Sequence, residues 1–170
     1  MRIDKIYFDM DGVLADFERG VREICQTEPL PQNSDNDPET ENKMWELIKE
    51  AGHFYDMLEF MPGAEKLFNT IYEKYKEKCE ILSGIPKPRR GIDSAADDKT
   101  SWMRRKLSKD IKMNLVFRRD KAGFCKGKGY ILIDDLEKTI NEWNEMGGTG
   151  ILYTNAEETL EKLKELGVLP

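Results

Sequence analysis

The segment that most constrains the fold runs from Lys5 to Asp16, where a short apolar strand leads directly into carboxylates. Residues 6–8 (Ile-Tyr-Phe) form a β-prone run without a polar break, which is typical of a strand buried on both faces of a parallel sheet. Asp9 and Asp11 are two residues apart, and Gly12 follows them, so the chain can leave the strand in a tight turn. Ligands of parallel sheets bind in the crevice at this edge.

Two carboxylates at this spacing repel each other and need a compensating charge. The repulsion between Asp9 and Asp11 is about 4 kcal/mol at roughly 4 Å and an effective dielectric constant of about 20. A hard cation such as Mg²⁺ removes this repulsion and creates a phosphate site, in which one aspartate attacks phosphorus while its neighbour handles the proton. A solvated turn is the alternative interpretation, because Asp is common in turns. The other strand ends decide between the two.

The composition indicates a soluble globular protein with one domain. The 170 residues are 39% hydrophobic and 35% charged, which leaves room for a core and one small inserted lobe. The net charge of −6 argues against nucleic-acid and membrane-surface partners, so an anionic substrate needs a local cluster of Lys and Arg. No apolar run approaches the roughly 18 residues of a membrane helix, and no signal peptide is recognisable, so we expect a cytoplasmic protein.

The few cysteines and the single histidine argue against several kinds of catalytic and metal site. Cys25, Cys79 and Cys125 are far apart and form no CxxC pair, which argues against a disulfide framework and a zinc site. His53 is the only histidine, so a serine–histidine–aspartate triad and a multi-histidine metal site have little support. Carboxylates, hydroxyls and lysines remain as the candidate functional groups.

Strand and helix patterns alternate along the chain and predict an α/β fold. Four further apolar runs have strand character, and helical stripes separate most of them. We expect a parallel five-stranded sheet that is interrupted once, after the first strand. The four later strands are predicted at residues 79–82, 114–117, 130–133 and 151–153.

The interruption predicts an inserted lobe. Residues 15–27 have the spacing of an amphipathic helix. Residues 28–42 are acidic, contain prolines and lack basic residues, which predicts an exposed loop. A short helix that ends at Gly52 follows. Trp45 lies on the flank of that helix, where its ring can reach whatever the insert covers.

Aromatic residues make this insert distinctive. Phe54, Tyr55 and Phe60 follow the helix that carries Trp45. Most such rings form the core of a lobe, whereas one or two can stack on the base or ring of a ligand.

Capping residues predict where two later helices begin. Asp97 or Asp98 can cap a helix that runs through Trp102. Thr154 and Glu157 have the spacing of a capping box for the last helix.

Polar or charged residues stand at the ends of several predicted strands. Because parallel strands present their carboxyl ends at one edge, we expect these side chains to meet there. Three or four carboxylates with a hydroxyl and a lysine suit a divalent cation and are unfavourable without one. The side chains concerned are Asp9, Asp11, Ser83, Lys121, Asp134 and Asp135.

These motifs resemble the four motifs of the haloacid dehalogenase superfamily of phosphotransferases. Within it, the chain is most similar to the 5′(3′)-deoxyribonucleotidases, and the likeness covers most of the sequence. The resemblance implies a Rossmannoid three-layer α/β fold with a core of residues 1–16 and 62–170 and a small helical cap of residues 17–61. The narrower likeness rests on residues 9–18, 54–55, 61–64, 98–99 with Trp102, 119–121 and 133–135.

Carried over by position, the resemblance implies an aspartyl-phosphate mechanism. Asp9 would be the nucleophile, and Asp11 would protonate the leaving oxygen and then act as base for water. Mg²⁺ would be held by Asp9, the backbone carbonyl of Asp11 and Asp135, while Asp134 would lie behind these ligands.

The resemblance also implies which side chains bind the phosphate. Ser83 would bind the phosphoryl group, and Lys121 would neutralise its charge and that of Asp9. Lys126 is a rival for the lysine role, because the stretch before Asp134 is longer than expected. Gly84 stands where the family has a second hydroxyl residue, so we expect one phosphate contact to be lost.

The leading hypothesis is a Mg²⁺-dependent phosphomonoesterase for deoxynucleoside monophosphates. Phe17 matches a base-stacking position of the family, Trp45 matches by type and rough position, and Phe54 is a third candidate for the base slot. A phosphatase for sugar phosphates or other small phosphates is a second hypothesis, and an inactive binding module with the same fold is a third. The sequence leaves open whether the chain forms a homodimer.

Overall fold

The computed structural model describes all 170 residues, and its centre is one parallel sheet. Its strands are β1 (Lys5–Phe8), β2 (Cys79–Gly84), β3 (Lys112–Val116), β4 (Tyr130–Asp134) and β5 (Thr149–Leu152). The order across the sheet is β3-β2-β1-β4-β5, so β1 is central and pairs with β2 on one side and β4 on the other. The predicted α/β fold with a parallel five-stranded sheet is confirmed.

Six α-helices accompany the sheet. They are α1 (Phe17–Ile24), α2 (Pro38–Glu50), α3 (Ala64–Tyr75), α4 (Ala95–Lys106), α5 (Glu137–Glu145) and α6 (Ala156–Glu165). Short 3₁₀ helices include Phe54–Met57 and Arg118–Phe124. None of the helices combines the length and the apolar character that a membrane span requires.

The side chains of β1 show why helices must cover both faces of the sheet. Ile6 and Phe8 are fully buried on one face, where Phe8 contacts Phe68 of α3 at 5.3 Å between ring centroids. Tyr7 points to the opposite face and packs edge-on against Trp143 of α5 at 5.6 Å. Successive residues of a strand alternate between faces, so three apolar residues in a row need a layer of helix on each side.

The insert leaves and re-enters the core through two paired linkers. Helices α1 and α2 and the 3₁₀ helix at Phe54–Met57 lie between β1 and α3, and this part of the chain adds no strand to the sheet. The linkers exchange two backbone hydrogen bonds: Asp16 N–H donates to Glu59 at 2.8 Å, and Met61 N–H donates to Leu14 at 2.8 Å. The proposed cap of residues 17–61 thus begins and ends beside this pair.

A buried tryptophan ties the returning linker to the core. The indole N–H of Trp102, on α4, donates to the backbone carbonyl of Leu58 at 2.8 Å. The ring of Phe60 packs edge-on against Trp102 at 5.4 Å. Trp102 is fully buried, so this contact is part of the hydrophobic core rather than a surface bond.

Helix α2 begins earlier than the sequence pattern predicted. The loop prediction for residues 28–42 is wrong from Pro38 onward, because Asp37 caps a helix there and accepts from Thr40 N–H at 3.1 Å. Proline is favourable at the first helical position, and acidic residues in the first turn interact well with the helix dipole. The acidic residues that suggested a loop at this end of the segment are therefore those of the first turn of a helix.

Two capping predictions are also wrong. Helix α4 begins at Ala95, which leaves Asp97 and Asp98 inside its first turn. Helix α6 is capped by Asn155, whose side chain accepts from Glu158 N–H at 2.8 Å, in place of the predicted Thr154 with Glu157. Asn is as good an N-cap as Ser or Asp, so the shift of one residue costs the helix nothing.

Candidate active site

Three carboxylates meet at the carboxyl edge of the sheet. Asp9 follows β1, and Asp134 and Asp135 stand at the end of the neighbouring β4. One oxygen from each lies within 4.8 Å of the others, and Asp9 and Asp134 are 6% and 1% exposed. The pairing of β1 with β4 therefore brings together residues that are about 125 positions apart in the chain.

Lys121 is the cation beside these carboxylates. Its Nζ lies 3.1 Å from Asp9 Oδ1 and 2.8 Å from Asp134 Oδ2, and the residue is buried. Burial lowers the pKa of Lys121, but Asp9 and Asp134 raise it by more, so the side chain stays protonated. Lys126, the rival from the sequence, is exposed and donates to the Gly123 carbonyl at 3.2 Å. The structure brings Lys121, and not Lys126, to the carboxylates.

The charge at this edge is not balanced by the protein alone. If all three were ionised, Asp9, Asp134 and Asp135 would carry three negative charges against the one positive charge of Lys121. Burial raises the pKa of Asp135 well above its usual range, and the charge of Asp9 raises it further. Burial and Asp9 also raise the pKa of Asp134. A divalent cation would supply the missing charge, and carboxylate oxygens are the ligands that Mg²⁺ prefers.

The hydrogen bonds of Asp134 distinguish it from its neighbours. One of its oxygens accepts from Lys121, and the other accepts from Leu136 N–H at 2.9 Å. Both oxygens are thus engaged, which suits a residue that supports the metal ligands without binding the ion itself. The donor set of Asp9 and Asp135 fits Mg²⁺.

Gly12 allows the turn after Asp11 to lie directly against Asp135. Its φ is +82°, a conformation that residues with a side chain rarely adopt. A Cβ atom at this position would overlap the carboxylate of Asp135. Only glycine permits both the turn after Asp11 and this close approach of Asp135.

Lys99 is a buried lysine at the site that the sequence analysis did not select. It lies on α4, has no exposed surface and donates to three acceptors at 2.7–2.9 Å. Its Nζ also lies 4.6 Å from the centre of the Tyr55 ring. The three acceptors are Asp11 Oδ2, Ser83 Oγ and the Gly84 carbonyl.

A helical pattern in the sequence does indicate that Lys99 is buried. Ala95, Trp102 and Met103 are buried, and Lys99 lies between them at the i+4 position from Ala95. A lysine in the middle of an apolar stripe must find partners for its charge inside the protein. The same buried stripe also contains Asp98, so the pattern indicates a buried charge on α4 without singling out Lys99 as a site residue.

Asp11 has one oxygen fixed and one free. Oδ2 accepts from Lys99 at 2.8 Å, while Oδ1 is buried and has no hydrogen-bond partner. Burial raises the pKa of Asp11, and the positive charge of Lys99 opposes this increase. A carboxyl group with a raised pKa and a free oxygen is suited to donating and accepting a proton.

Three aromatic residues of the insert form a cluster around Phe17, while Phe60 packs against Trp102 instead. The ring centroid of Phe17 lies 6.1 Å from Trp45, 5.6 Å from Phe54 and 6.3 Å from Tyr55. Phe54 and Tyr55 are buried, whereas Phe17 and Trp45 are only partly buried. Phe17 and Trp45 are therefore the rings with surface left to offer a ligand, while Phe54 supports Phe17 from below.

Arg90 connects this cluster to the loop that follows β2. Its guanidinium lies 5.8 Å from the centre of the Trp45 ring and donates to Asn42 Oδ1 at 2.6 Å. Arg90 therefore joins the loop that follows β2 to the insert by direct contact.

The comparison with protein families gives one match over most of the chain. The family model described as "5' nucleotidase, deoxy (Pyrimidine), cytosolic type C protein" matches residues 2–162. No match was found among curated proteins.

Solved structures with a similar fold include hydrolases of the haloacid dehalogenase (HAD) superfamily. A HAD family hydrolase from Deinococcus radiodurans with bound phosphate and sodium has a TM-score of 0.62 at 12% identity, covering 98% of this chain and 97% of its own. A HAD-hydrolase from Bacillus subtilis bound to magnesium has a TM-score of 0.55 at 12% identity, covering 96% and 99%. A hydrolase from Streptococcus pneumoniae has a TM-score of 0.53 at 13% identity, covering 96% and 100%. Similarity at this level identifies the fold.

Proposed function

The chain belongs to the cytosolic type C family of 5′ nucleotidases, deoxy (pyrimidine), and we propose that it hydrolyses deoxynucleoside monophosphates through an aspartyl-phosphate intermediate. Membership of this family and the HAD fold make the protein a phosphoric monoester hydrolase. The observation that carries the finer proposal is the cluster of Asp9, Asp134 and Asp135 around Lys121, with Asp11 beside it.

In the first half of the reaction, Asp9 is the nucleophile. A carboxylate oxygen of Asp9 forms a bond to phosphorus while the bond from phosphorus to the nucleoside oxygen breaks. Asp11 gives its proton to that leaving oxygen, and the raised pKa of Asp11 keeps the proton available for this step. The nucleoside leaves, and the phosphoryl group is bonded to Asp9.

In the second half, Asp11 reverses its role. Its carboxylate takes a proton from a water molecule, whose oxygen attacks the phosphorus. The bond between phosphorus and Asp9 breaks, inorganic phosphate leaves, and both aspartates return to their starting states. The free Oδ1 of Asp11 is the atom that exchanges protons, because Oδ2 is bonded to Lys99.

Lysines, a hydroxyl and a metal ion stabilise the charge on the phosphoryl group. Lys121 neutralises Asp9 and faces the transferring group, and Ser83 is oriented by its bond from Lys99. Mg²⁺ held by Asp9, the Asp11 carbonyl and Asp135 would neutralise phosphoryl oxygens when bound.

Phe17 and Trp45 supply a surface on which a nucleobase can stack. Every base has an aromatic face, and a stacked base contributes about 1–3 kcal/mol to binding. A sugar phosphate needs hydrogen-bonding groups at this position, so the partly buried rings favour a nucleotide over a sugar phosphate.

A substrate panel tests the proposed function. Purified protein with Mg²⁺ is assayed against deoxy- and ribonucleoside 5′- and 3′-monophosphates and against common sugar phosphates, with release of inorganic phosphate as the readout. We expect the highest kcat/KM for deoxynucleoside monophosphates. Higher kcat/KM for a sugar phosphate would contradict the nucleotide assignment, and absence of turnover on every substrate would favour a binding module with the same fold.

A further inference from the structure

One side chain of the loop between α1 and α2 reaches residues 134–136, which carry the proposed metal ligand Asp135 and are named the metal loop. Asn33 donates from Nδ2 to the backbone carbonyl of Asp135 at 3.1 Å, and its Oδ1 accepts from Glu137 N–H at 2.7 Å. These contacts span more than 100 residues of sequence. Asn33 has a φ of +60°, and Asn tolerates this conformation better than most residues do.

Helix α5 begins without a cap of its own. Leu136 occupies its N-cap position and offers no side-chain acceptor. The first N–H groups of a helix have no partner within the helix, and a side chain usually supplies one. Asn33 supplies it here from the insert, while Asp134 accepts the N–H of Leu136.

The same loop covers the outer side of Asp135. Gln32, the neighbour of Asn33, lines a cavity of about 220 Å³ together with Asp135, Gly12 and Phe17. The metal loop is therefore held from two directions, by Lys121 through Asp134 inside the core and by Asn33 from the insert.

We propose that Asn33 is a positioning residue. Its two hydrogen bonds hold the backbone at Asp135 and at the first residue of α5, and this increases the affinity of the site for Mg²⁺. This inference rests on the metal site of the proposed function. Groups that orient metal ligands through hydrogen bonds typically change metal affinity or activity by about 10–100-fold when they are removed. The insert would thus contribute to metal binding as well as to substrate selection.

The test compares glycine and aspartate at position 33 with a matched change nearby. Asn33→Gly removes both hydrogen bonds and keeps the positive φ free of strain. Asn33→Asp keeps an acceptor for Glu137 N–H and removes the donor to Asp135. Asn36→Gly is the control, because Asn36 lies in the same loop and its side chain bonds only to the Pro31 carbonyl at 3.3 Å.

Mg²⁺ alone is titrated into each metal-free variant by calorimetry, without substrate. We expect Asn33→Gly to weaken Mg²⁺ binding about tenfold, Asn33→Asp to weaken it while Glu137 keeps its amide protection in hydrogen exchange, and Asn36→Gly to bind as the wild type does. With p-nitrophenyl phosphate, Asn33→Gly should recover wild-type kcat at saturating Mg²⁺.

Unchanged Mg²⁺ affinity in Asn33→Gly would overturn the proposal, as would an equal loss in Asn36→Gly or a wild type that binds no Mg²⁺. Far-UV circular dichroism and thermal unfolding report whether each variant folds, and Asn33→Asp carries the test if Asn33→Gly does not. Because calorimetry uses no nucleotide, failure of the nucleotidase assignment would leave a difference in Mg²⁺ affinity intact, and the two failures are distinguishable.

Discussion

The carboxyl edge of the sheet and the aromatic cluster of the insert are built in different ways. Asp9 and Asp134 are held by backbone pairing between β1 and β4, which fixes their separation whatever side chains surround them. Phe17 and Trp45 come from two separate helices and meet only through packing of their rings. The comparison teaches that the meeting of the carboxylates depends on topology, whereas the proposed base-stacking surface depends on side-chain packing that can change without altering the fold.

The largest effect should come from removing Asp9, the proposed nucleophile at the carboxyl edge of the sheet. Asp9→Asn leaves no carboxylate to attack phosphorus, so we expect kcat for dTMP to fall by about 10⁴-fold or more. The fold should survive, because the change removes one of the repelling charges beside Asp135. Phosphate release and thermal unfolding without Mg²⁺ measure the two effects. Full turnover by this variant would contradict the covalent mechanism. It would also show that the chemistry does not depend on the carboxylates at the edge of the sheet.

A smaller but still large loss is expected when Lys99 is replaced. Lys99→Met removes the cation that fixes Asp11 and Ser83, and loss of one such preorganised donor lowers rates by about 10²–10³-fold. We expect kcat to fall for every substrate alike, because the change affects the core edge and not the base slot. Lys126→Met is the control, since Lys126 is exposed and bonds only to a local carbonyl. Equal activity of the two variants would show that Lys99 has a structural role only.

Replacing Trp45 in the proposed base slot should change KM by about one order of magnitude, and only for nucleotide substrates. Trp45→Ala removes a stacking surface worth about 1–3 kcal/mol, so KM for a deoxynucleoside monophosphate should rise roughly tenfold while kcat changes little. Ribose 5-phosphate, which has no base, should be hydrolysed as before. Trp45→Phe keeps an aromatic face and should restore most of the affinity. A fall in kcat for both substrates would show that Trp45 affects the chemical step as well as base binding, and would contradict the separation of roles between core and insert.

The smallest effect concerns stability alone. Asp37→Ala removes the N-cap of α2 and should lower the free energy of unfolding by about 1 kcal/mol, as measured by urea denaturation. Asp37→Asn, which keeps a capping oxygen, should remain close to the wild type. We expect kcat for dTMP to be unchanged in both variants. A large loss of activity on alanine substitution would show that the start of α2 supports the site as well as the helix.

Sequence reasoning succeeded where a residue's role follows from its place on a strand. The strand ends predicted the meeting of Asp9, Asp134 and Asp135, because parallel pairing delivers all strand ends to one edge. Sequence reasoning did not identify Lys99, which reaches the site from the middle of a helix. Its hydrogen bond to Ser83 forms only because α4 lies close to β2. No pattern along the chain reports the distance between α4 and β2.

The contact of Asn33 was beyond sequence reasoning for a related reason. An asparagine in an acidic, proline-containing segment has the signature of a loop, and the residue is indeed exposed. Its partners lie on a loop more than 100 residues away, and only the folded chain brings the two together. The start of α2 is different, since Asp37 followed by Pro38 is a helix signal that composition obscured.

The paired linkers have a mechanical consequence. Backbone hydrogen bonds at Asp16 and Met61 join the two neighbouring crossings, and Trp102 ties one of them to the core through Leu58. Away from these linkers, Arg105 of α4 donates to the backbone carbonyl of Asp56 at 2.7 Å, and Asn33 donates to that of Asp135 at 3.1 Å. Displacement of the insert relative to the sheet would break hydrogen bonds at all of these places, so the position of its aromatic rings is coupled to that of the core.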